Sequence, residues 1–165
     1  METENPKAAA ALVVIDQDRP AQLPAFIRDQ VANVGWLSWP AESEADKLAV
    51  LNAKAGGAHP LEESVPLSVR VNRALLHPWT KVDERSGEEI ALIRCVLIAE
   101  DGECYSCSSV AIRDAVLLVS HLYGPGPWAP AIPMEISTRK LEGGRSTYSV
   151  KFTDRTQAAP KGKGK

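Results

Sequence analysis

The sequence predicts a mainly β protein, built as a small barrel or a strongly curved sheet with one helix plugging an end. Three observations carry this prediction. A long apolar run at residues 90–99 turns back through an acidic-glycine turn. A single amphipathic helix pattern follows at residues 109–123, and residues 132–153 then alternate as a second hairpin.

The first 46 residues are predicted to form an extension ahead of the main body. Residues 1–9 are polar and expected to be flexible, and residues 11–15 suit a short strand. Residues 25–34 carry apolar side chains at helical spacing behind Pro24, which favours a helix. The extension includes a flap with Trp36 and Trp39. This flap either packs on the main body or offers a stacking surface to bases or a partner.

The next segments lead into the main sheet. Acidic residues 42–47 suit a helical turn, and residues 48–53 are predicted as a strand, with helix as the alternative. Residues 54–64 contain Gly-Gly and Pro and are predicted as a loop. Residues 65–76 alternate and predict a half-buried strand. Its apolar face holds Val65, Leu67, Val69, Val71 and Leu75. Residues 77–87 are predicted to form a loop and a charged connector.

Residues 90–99 are apolar at both odd and even positions. Such a strand should be buried on both faces and lie at the centre of the sheet. The turn at Asp101-Gly102 returns the chain into residues 103–108. Arg94 interrupts the apolar run, and a buried guanidinium needs a partner. The alternatives are a bound phosphate and an internal carboxylate, either Glu103 or Glu89.

One helix separates this hairpin from the last one. Residues 109–123 carry an apolar stripe made of Ala111, Ala115, Leu118, Val119 and Leu122. Ser108 or Ser109 suits the helix start and Gly124 its end. Residues 132–140 and 145–153 alternate around Gly143-Gly144 and predict a hairpin. Five or six strands and this helix fit an OB-like barrel, a single domain at residues 10–155 with 10–46 as its extension.

Composition limits the function classes. The 165 residues carry 19 Lys and Arg against 21 Asp and Glu, a net charge of −2. Residues 1–64 hold 5 basic and 10 acidic side chains (−5), and residues 65–165 hold 14 and 11 (+3). Any polyanion would therefore be bound by local basic faces. No apolar run is long enough to span a membrane, and Met1-Glu2-Thr3-Glu4 lacks the basic start of a signal peptide. We expect a cytoplasmic protein with no membrane partner and a flexible basic tail at 156–165.

The sequence carries little that indicates catalysis. Cys104 and Cys107 form a CxxC pattern, which suits a redox pair or half of a zinc site. On a strand, however, positions i and i+3 point to opposite faces. No GxSxG, HExxH or GxxxxGK[ST] motif is present. We expect no catalytic residue, no metal and no cofactor, and interpret the cysteines as incidental.

Aromatic residues beside basic ones indicate a surface for single-stranded nucleic acid. Such strands are held where cations follow the phosphates and rings stack on the bases. The final hairpin combines Tyr148 with Arg139, Lys140, Arg145 and Lys151. Core packing is the alternative for the tyrosines, and plain solvated surface is the alternative for the cations.

Two stretches resemble a known family. SGEEIALIRCVLIAEDGECYSCSS, followed by a helix and GPGPWAPAIPMEISTRKLEGGRSTYSVKF, is similar to the small single-stranded DNA-binding proteins of bacteriophages that coat displaced strands in protein-primed replication. The shared pattern is an Asp-Gly turn, a tyrosine then a serine, a helix and a Gly-turned aromatic hairpin. Here these features are Asp101-Gly102, Tyr105, Ser108, residues 109–123, Gly144 and Tyr148. The resemblance covers about residues 47–153 and leaves residues 1–46 without a counterpart.

The resemblance implies an OB-fold that binds single-stranded DNA without sequence preference during replication or recombination in the host cytoplasm. RNA is an alternative ligand, and the N-terminal extension is expected to support self-association. The implied binding residues are Tyr105, Tyr148, Trp79, Trp128, Arg73, Lys81, Arg94, Arg139, Lys140, Arg145 and Lys151. The rival hypothesis is a non-enzymatic interaction protein that uses the Trp36 and Trp39 flap.

Overall fold

The computed structural model describes residues 35–156, which hold seven strands and three helices. The strands are β1 (Trp36–Leu37), β2 (His59–Pro60), β3 (Leu67–Val82), β4 (Glu89–Ala99), β5 (Cys104–Cys107), β6 (Ile132–Lys140) and β7 (Ser146–Phe152). The helices are α1 (Glu44–Lys54), α2 (Leu61–Ser64) and α3 (Val110–Tyr123). The predicted strand at 11–15, the predicted helix at 25–34 and the expected flexible ends lie outside the described residues.

All seven strands belong to one sheet. Its order is β2-β5-β4-β3-β6-β7, and β1 pairs with β3 beside this path. The sheet curls into a half-barrel, which confirms the predicted mainly β, OB-like fold. The apolar strand β4 lies between β3 and β5, as its composition predicted.

A β-bulge at Asn72 shapes the long strand β3. The residues before and after Asn72 pair with consecutive residues of β4, so Asn72 is an extra residue in the ladder. An extra residue bends a strand and reverses which side chains point to each face. Val71 and Ala74 therefore share one core, whereas Leu75 points to the other. The prediction that Leu75 lies on the face of Val71 is wrong for this reason.

Two apolar cores lie on the two faces of the sheet. The larger core lies between the sheet and α3, and the smaller core lies beneath α1. Leu97 of β4 belongs to the larger core, and its neighbours Val96 and Ile98 belong to the smaller one. This explains why the strand is apolar at both odd and even positions.

The strand predicted at residues 48–53 is instead the second half of α1. The Ser43 hydroxyl accepts a hydrogen bond from the Asp46 backbone N–H at 3.1 Å and caps the helix. Glu44 and Asp46 in the first turn also suit the positive end of the helix dipole. Ala53 then packs into the smaller core. The helix-capping residue Ser43 therefore decides that residues 48–53 are helical, because their short apolar run suits helix and strand alike.

Helix α3 confirms the predicted helix, but its buried face shares only Val119 with the predicted stripe. Ser109 caps it by accepting from the Ile112 N–H at 3.5 Å. The buried side chains are Ile112, Arg113, Val116 and Val119. Leu118 and Leu122 of the predicted stripe are exposed. The helix is apolar on two sides, so periodicity alone cannot show which side faces the core.

Strand β3 continues through residues 77–82, which belong to the predicted loop and charged connector. These residues pair with residues 89–94 of β4, and we call the two-stranded ribbon they form the arm. Among the described strands, β1 pairs with β3 only up to Leu76, and β6 stops at Val71. Pro78 thus lies on a strand with one open edge, where a proline is tolerated in a sheet.

Candidate nucleic-acid interface

One face of the arm combines an aromatic ring with basic side chains. Alternate residues of a strand point to the same face, and cross-strand partners share it. The register of β3 and β4 therefore places six residues on one face: His77, Trp79, Lys81, Ile90, Leu92 and Arg94. We call this set the arm face. Trp79 is 43% exposed and Lys81 is exposed as well, so the ring and a cation are both open to solvent.

Arg94 has two polar or aromatic partners, and neither is a carboxylate. Its Nη2 donates to the Ser106 hydroxyl at 2.8 Å, and its guanidinium carbon lies 5.3 Å from the centroid of the Trp79 ring. Of the predicted internal partners, Glu103 pairs with His59 instead. In the described part of the chain no acidic side chain forms an ion pair with Arg94. The charge of Arg94 thus remains available to an anion.

His77 is buried at the base of the arm face. Its Nδ1 lies 3.0 Å from the Pro78 carbonyl oxygen, which assigns the proton to Nδ1 as the donor. Its Nε2 is buried without a hydrogen-bond partner among the described residues. Burial lowers the pKa of His77, the hydrogen bond to Pro78 opposes this shift, and Lys54 and Arg94 lower the pKa further. The net effect is a lowered pKa, which leaves the His77 ring neutral at pH 7.

A second basic area lies on the β6–β7 hairpin. Arg139, Lys140 and Arg145 are exposed, and no ion pair engages them within residues 35–156. We call these three residues the hairpin surface. Strand β6 runs antiparallel to β3 and passes its beginning, so the hairpin surface and the arm lie toward opposite ends of β3. The structure therefore does not gather the predicted cations into one patch.

Two further predicted residues of this hairpin are partly engaged. The Lys151 ammonium lies 3.4 Å from the Glu135 carboxylate. Tyr148 packs against the larger core, and this burial raises its pKa, as do Cys107 and Glu62. Both side chains are thus less available to a ligand than the hairpin surface.

Tyr105 lies on β5 in an acidic neighbourhood. Its ring packs against the larger core and lies 6.0 Å, centroid to centroid, from that of His59. Burial raises the pKa of Tyr105, and the charges of Asp101 and Glu103 raise it further. These carboxylates would repel a phosphate, so this ring is a poorer contact than Trp79.

Two of the predicted contacts are engaged within the fold itself. Trp128 is 3% exposed, lies in the larger core and donates its Nε1–H to the Gly124 carbonyl at 3.0 Å, so it offers no stacking surface. Arg73 forms an ion pair with Asp46 at 3.0 Å and lies 5.8 Å from the Trp39 ring centroid. Arg73 thus joins β3 to α1. Both residues belong to the scaffold.

The two-tryptophan flap packs on the main body. Trp36 is 9% exposed and Trp39 3% exposed, and β1 pairs with β3 at Leu75 and Leu76. This confirms the packing alternative. The rival interaction surface proposed for these rings is buried within the chain itself.

The cysteines are separated by the sheet. Cys104 packs on the smaller core and Cys107 on the larger one, so the CxxC thiols point to opposite faces. Burial raises the pKa of Cys107 to about 11 and also raises that of Cys104. Few thiolates exist at neutral pH under these conditions. Within residues 35–156, no group of three or more His, Cys, Asp or Glu side chains could hold a metal ion, and no helix could cross a membrane.

Sequence reasoning missed Ser106 and His77. The turn at Asp101-Gly102 does fix the register of the central hairpin, and counting from it places Ser106 opposite Val96, diagonal to Arg94. That count could have found the Arg94 partner. No comparable count places His77 in the site, because residues 77–87 carry no strand pattern in the sequence.

Comparison with known proteins extends this picture. A family model described as phage single-stranded DNA-binding protein matches residues 30–153. The chain belongs to this family. The single-stranded DNA-binding protein of Bacillus phage GA-1 is 29% identical over 105 residues, which cover 62% of this chain. The chain in turn spans 62% of the length of that curated relative. No solved structure matches the chain.

The family region includes β1, α1, the arm and both hairpins. It begins at residue 30, whereas the sequence resemblance was placed from about residue 47. The two tryptophans of the flap thus lie inside the region shared with phage single-stranded DNA-binding proteins. Their burial in the fold agrees with that placement.

Proposed function

We propose that this chain binds single-stranded DNA without sequence preference and coats displaced strands during phage replication or recombination in the host cytoplasm. Membership of the phage single-stranded DNA-binding protein family supports this proposal, as does the similarity to the single-stranded DNA-binding protein of Bacillus phage GA-1. In this proposal the protein acts by binding alone, without catalysis.

The observation that carries the proposal is the composition of the arm face. An exposed Trp79 ring lies beside Arg94 and Lys81, and no acidic side chain forms an ion pair with either cation in the described residues. A ring that stacks on a base and cations that meet the flanking phosphates are what single-strand binding requires.

The same face explains why binding would not depend on sequence. Base edges are usually read by the paired donors and acceptors of Asn, Gln, Arg or carboxylates. The arm face contains no Asn, Gln, Asp or Glu, and its arginine is already held by Ser106 and Trp79. Stacking tolerates every base, because every base has a π-face.

In this proposal the bound DNA strand does not follow the arm to its tip. Asp83, Glu84 and Glu88 occupy the turn between β3 and β4 and would repel phosphates. A path from the arm face toward the body of the sheet avoids them. The hairpin surface at the far end of β3 is the proposed second contact, and the N-terminal extension, outside the described residues, is the proposed site of self-association.

Fluorescence anisotropy of labelled oligonucleotides tests this function. Single-stranded oligo-dT and oligo-dA should bind with affinities within a few-fold of each other, and an equal length of duplex should bind more weakly. A matched RNA oligomer measures DNA preference in the same assay. The affinity should fall steeply as salt rises from 50 to 200 mM. Absence of binding to oligo-dT at the lower salt concentration would overturn the proposal.

A further inference from the structure

His77 is a buried side chain with one unsatisfied ring nitrogen. The residue is 7% exposed. Its Nδ1 donates to the Pro78 carbonyl oxygen at 3.0 Å, whereas Nε2 is buried with no hydrogen-bond partner among residues 35–156. A buried polar atom without a partner costs free energy, so its presence in a folded protein needs an explanation.

Three elements fix the position of His77. In the ladder of β3 and β4 it lies directly opposite Arg94, and such cross-strand pairs hold their Cβ atoms about 4.5–5.5 Å apart. The chain at Gly35 covers it, because a Cβ at Gly35 would lie only 3.1 Å from the His77 Cβ. Lys54 is exposed at the C-terminal end of α1 and lies close enough for its charge to act on the ring. His77 therefore lies at the base of the arm face, where the arm meets α1.

The charges that act on His77 are positive. Lys54 acts on it from α1 and Arg94 from β4, while Gly35 of the covering segment carries no charge. On β3 itself, Lys81 extends the same face. In the described part of the chain, no carboxylate contributes to the shift of the His77 pKa. An anion bound beside the ring would therefore offset the repulsion between these cations and a protonated His77.

A phosphate of a bound single strand fits this position. The Arg94 guanidinium carbon lies 5.3 Å from the Trp79 ring centroid, so a base stacked on Trp79 brings its flanking phosphate within reach of Arg94. The phosphate charge favours the protonated imidazole, because an opposite charge stabilises the charged form of a titratable group. The added proton goes to Nε2, since Nδ1 already carries one. The imidazolium then adds a positive charge to the site while the strand is bound.

We propose that the base of the arm face is a phosphate subsite formed by Arg94, Lys54 and His77, and that His77 takes up a proton when the phosphate binds. This inference rests on the proposed function, because the phosphate belongs to the bound DNA strand. Linkage between two binding events is reciprocal, so protonation of His77 also strengthens DNA binding.

The sign of the pH dependence follows from this linkage. The pKa of His77 is higher in the DNA complex than in the free protein, so the affinity rises as the pH falls from the first pKa toward the second. The stability of the free protein changes in the opposite direction, because the lowered pKa of folded His77 makes acid destabilising. Opposite effects of acid on stability and on affinity distinguish the subsite from a buried histidine with a purely structural role.

NMR titration of the imidazole rings tests the proton uptake without altering the site. Long-range ¹H–¹⁵N spectra of the full-length protein are recorded from pH 5 to 8, with and without saturating oligo-dT, whose bases do not titrate in this range. The variants His59→Gln and His121→Gln, both at exposed positions, assign the other two rings. The midpoint of His77 should rise by about 0.5 pH unit or more with oligo-dT.

Two outcomes of this titration would overturn the proposal. The first is a His77 midpoint that saturating oligo-dT leaves unchanged. The second is an equal rise with a methylphosphonate oligo-dT, whose backbone carries no charge, because the phosphate would then play no part. Failure of wild type to bind oligo-dT at all would instead refute the proposed function.

Oligo-dT affinity at two pH values tests the consequence for binding. The gain in affinity from pH 7.5 to pH 5.5 should be about threefold or more larger in wild type than in His77→Gln. The matched control is His121→Gln on α3, which should keep the pH dependence of wild type, since this exposed ring lies outside the arm face. Equal pH dependence in wild type and His77→Gln would contradict the proposal.

The contribution of Lys54 is tested on the same helix. Lys54→Gln should weaken oligo-dT binding at both pH values, because it removes a cation from the subsite. Lys47→Gln, also exposed on α1, is the matched control and should bind like wild type. Equal affinities of the two variants would overturn the assignment of Lys54 to the subsite.

Discussion

The guanidinium carbon of Arg94 lies 5.3 Å from the centroid of the Trp79 ring, while Nη2 of the same group donates to Ser106 at 2.8 Å. Ser106 is buried on β5, so a fixed hydroxyl holds the arginine and the arginine in turn holds the ring. One side of the Trp79 ring is thus occupied by a cation. The remaining exposed surface of the ring is open to a base.

Replacing Trp79 should weaken DNA binding without unfolding the protein. Trp79→Ala should lose about 1–3 kcal/mol of binding free energy for oligo-dT, the usual contribution of one stacked ring. Trp79→Phe should retain part of it. The matched control is Tyr123→Ala, which removes an exposed ring outside the arm. Equal losses in Trp79→Ala and Tyr123→Ala would contradict the role of the arm face.

The salt dependence of binding should separate the phosphate contacts from the other cations. Arg94→Gln and Lys81→Gln should each reduce the slope of the logarithm of the binding constant against the logarithm of the salt concentration by about 0.7. Each phosphate contact with a single strand releases about 0.7 counterions. Lys151→Gln should change the slope less, because Lys151 is paired with Glu135. Lys47→Gln on exposed α1 is the neutral control. Isothermal titrations at four salt concentrations measure these slopes.

Trp128 should prove to be a core residue. Trp128→Ala should lower the free energy of unfolding by about 3–5 kcal/mol, the usual cost of truncating a buried tryptophan. Urea denaturation measures this loss. Because that variant could unfold, Trp128→Phe provides the binding test, and its affinity for oligo-dT should stay within about twofold of wild type, since only core packing changes. A large loss of affinity in folded Trp128→Phe would restore this ring as a DNA contact.

His77 should make stability depend on pH. Burial lowers its pKa below the ordinary 6.5, so the unfolded chain takes up this proton first as the pH falls. The stabilising contribution of His77 is complete above pH 6.5 and is lost as the pH falls toward the lower pKa of the folded state. Urea denaturation at pH 7.5 and 5.5 should show a smaller pH effect for His77→Gln than for wild type. An identical pH effect in both proteins would refute the assignment.

The sequence predicted the parts of the fold that depend on local pattern. The strands β4 and β6 and the helix α3 have strong periodicity and clear end signals, and the structure confirms them. The failures concern positions where tertiary context decides. Residues 48–53 are helical because Ser43 caps the helix. Pro78 lies in a strand because one edge of β3 is open at that point. The bulge at Asn72 has no sequence signature that alternation could reveal.

The candidate site was predicted only in part. Trp79, Lys81 and Arg94 are brought together on the arm face, although residues 77–81 were assigned to a loop. The prediction that Trp128 is exposed for stacking was wrong, because a tryptophan in a Pro-Gly loop has the same local pattern whether it is buried or exposed. The ion pair of Arg73 with Asp46 was not predicted, because it depends on the bulge that turns Arg73 toward α1. Assignments based on neighbouring residues could not detect either long-range contact.

Photochemical cross-linking tests most directly where the bound DNA strand lies on the protein. An oligo-dT carrying 5-iododeoxyuridine is irradiated with the full-length protein at low salt, and the adducts are located by mass spectrometry. The proposed function predicts the main adduct on Trp79, together with its loss in Trp79→Ala. Adducts confined to Tyr105, Tyr148 or Tyr123, with none on the arm, would contradict the account.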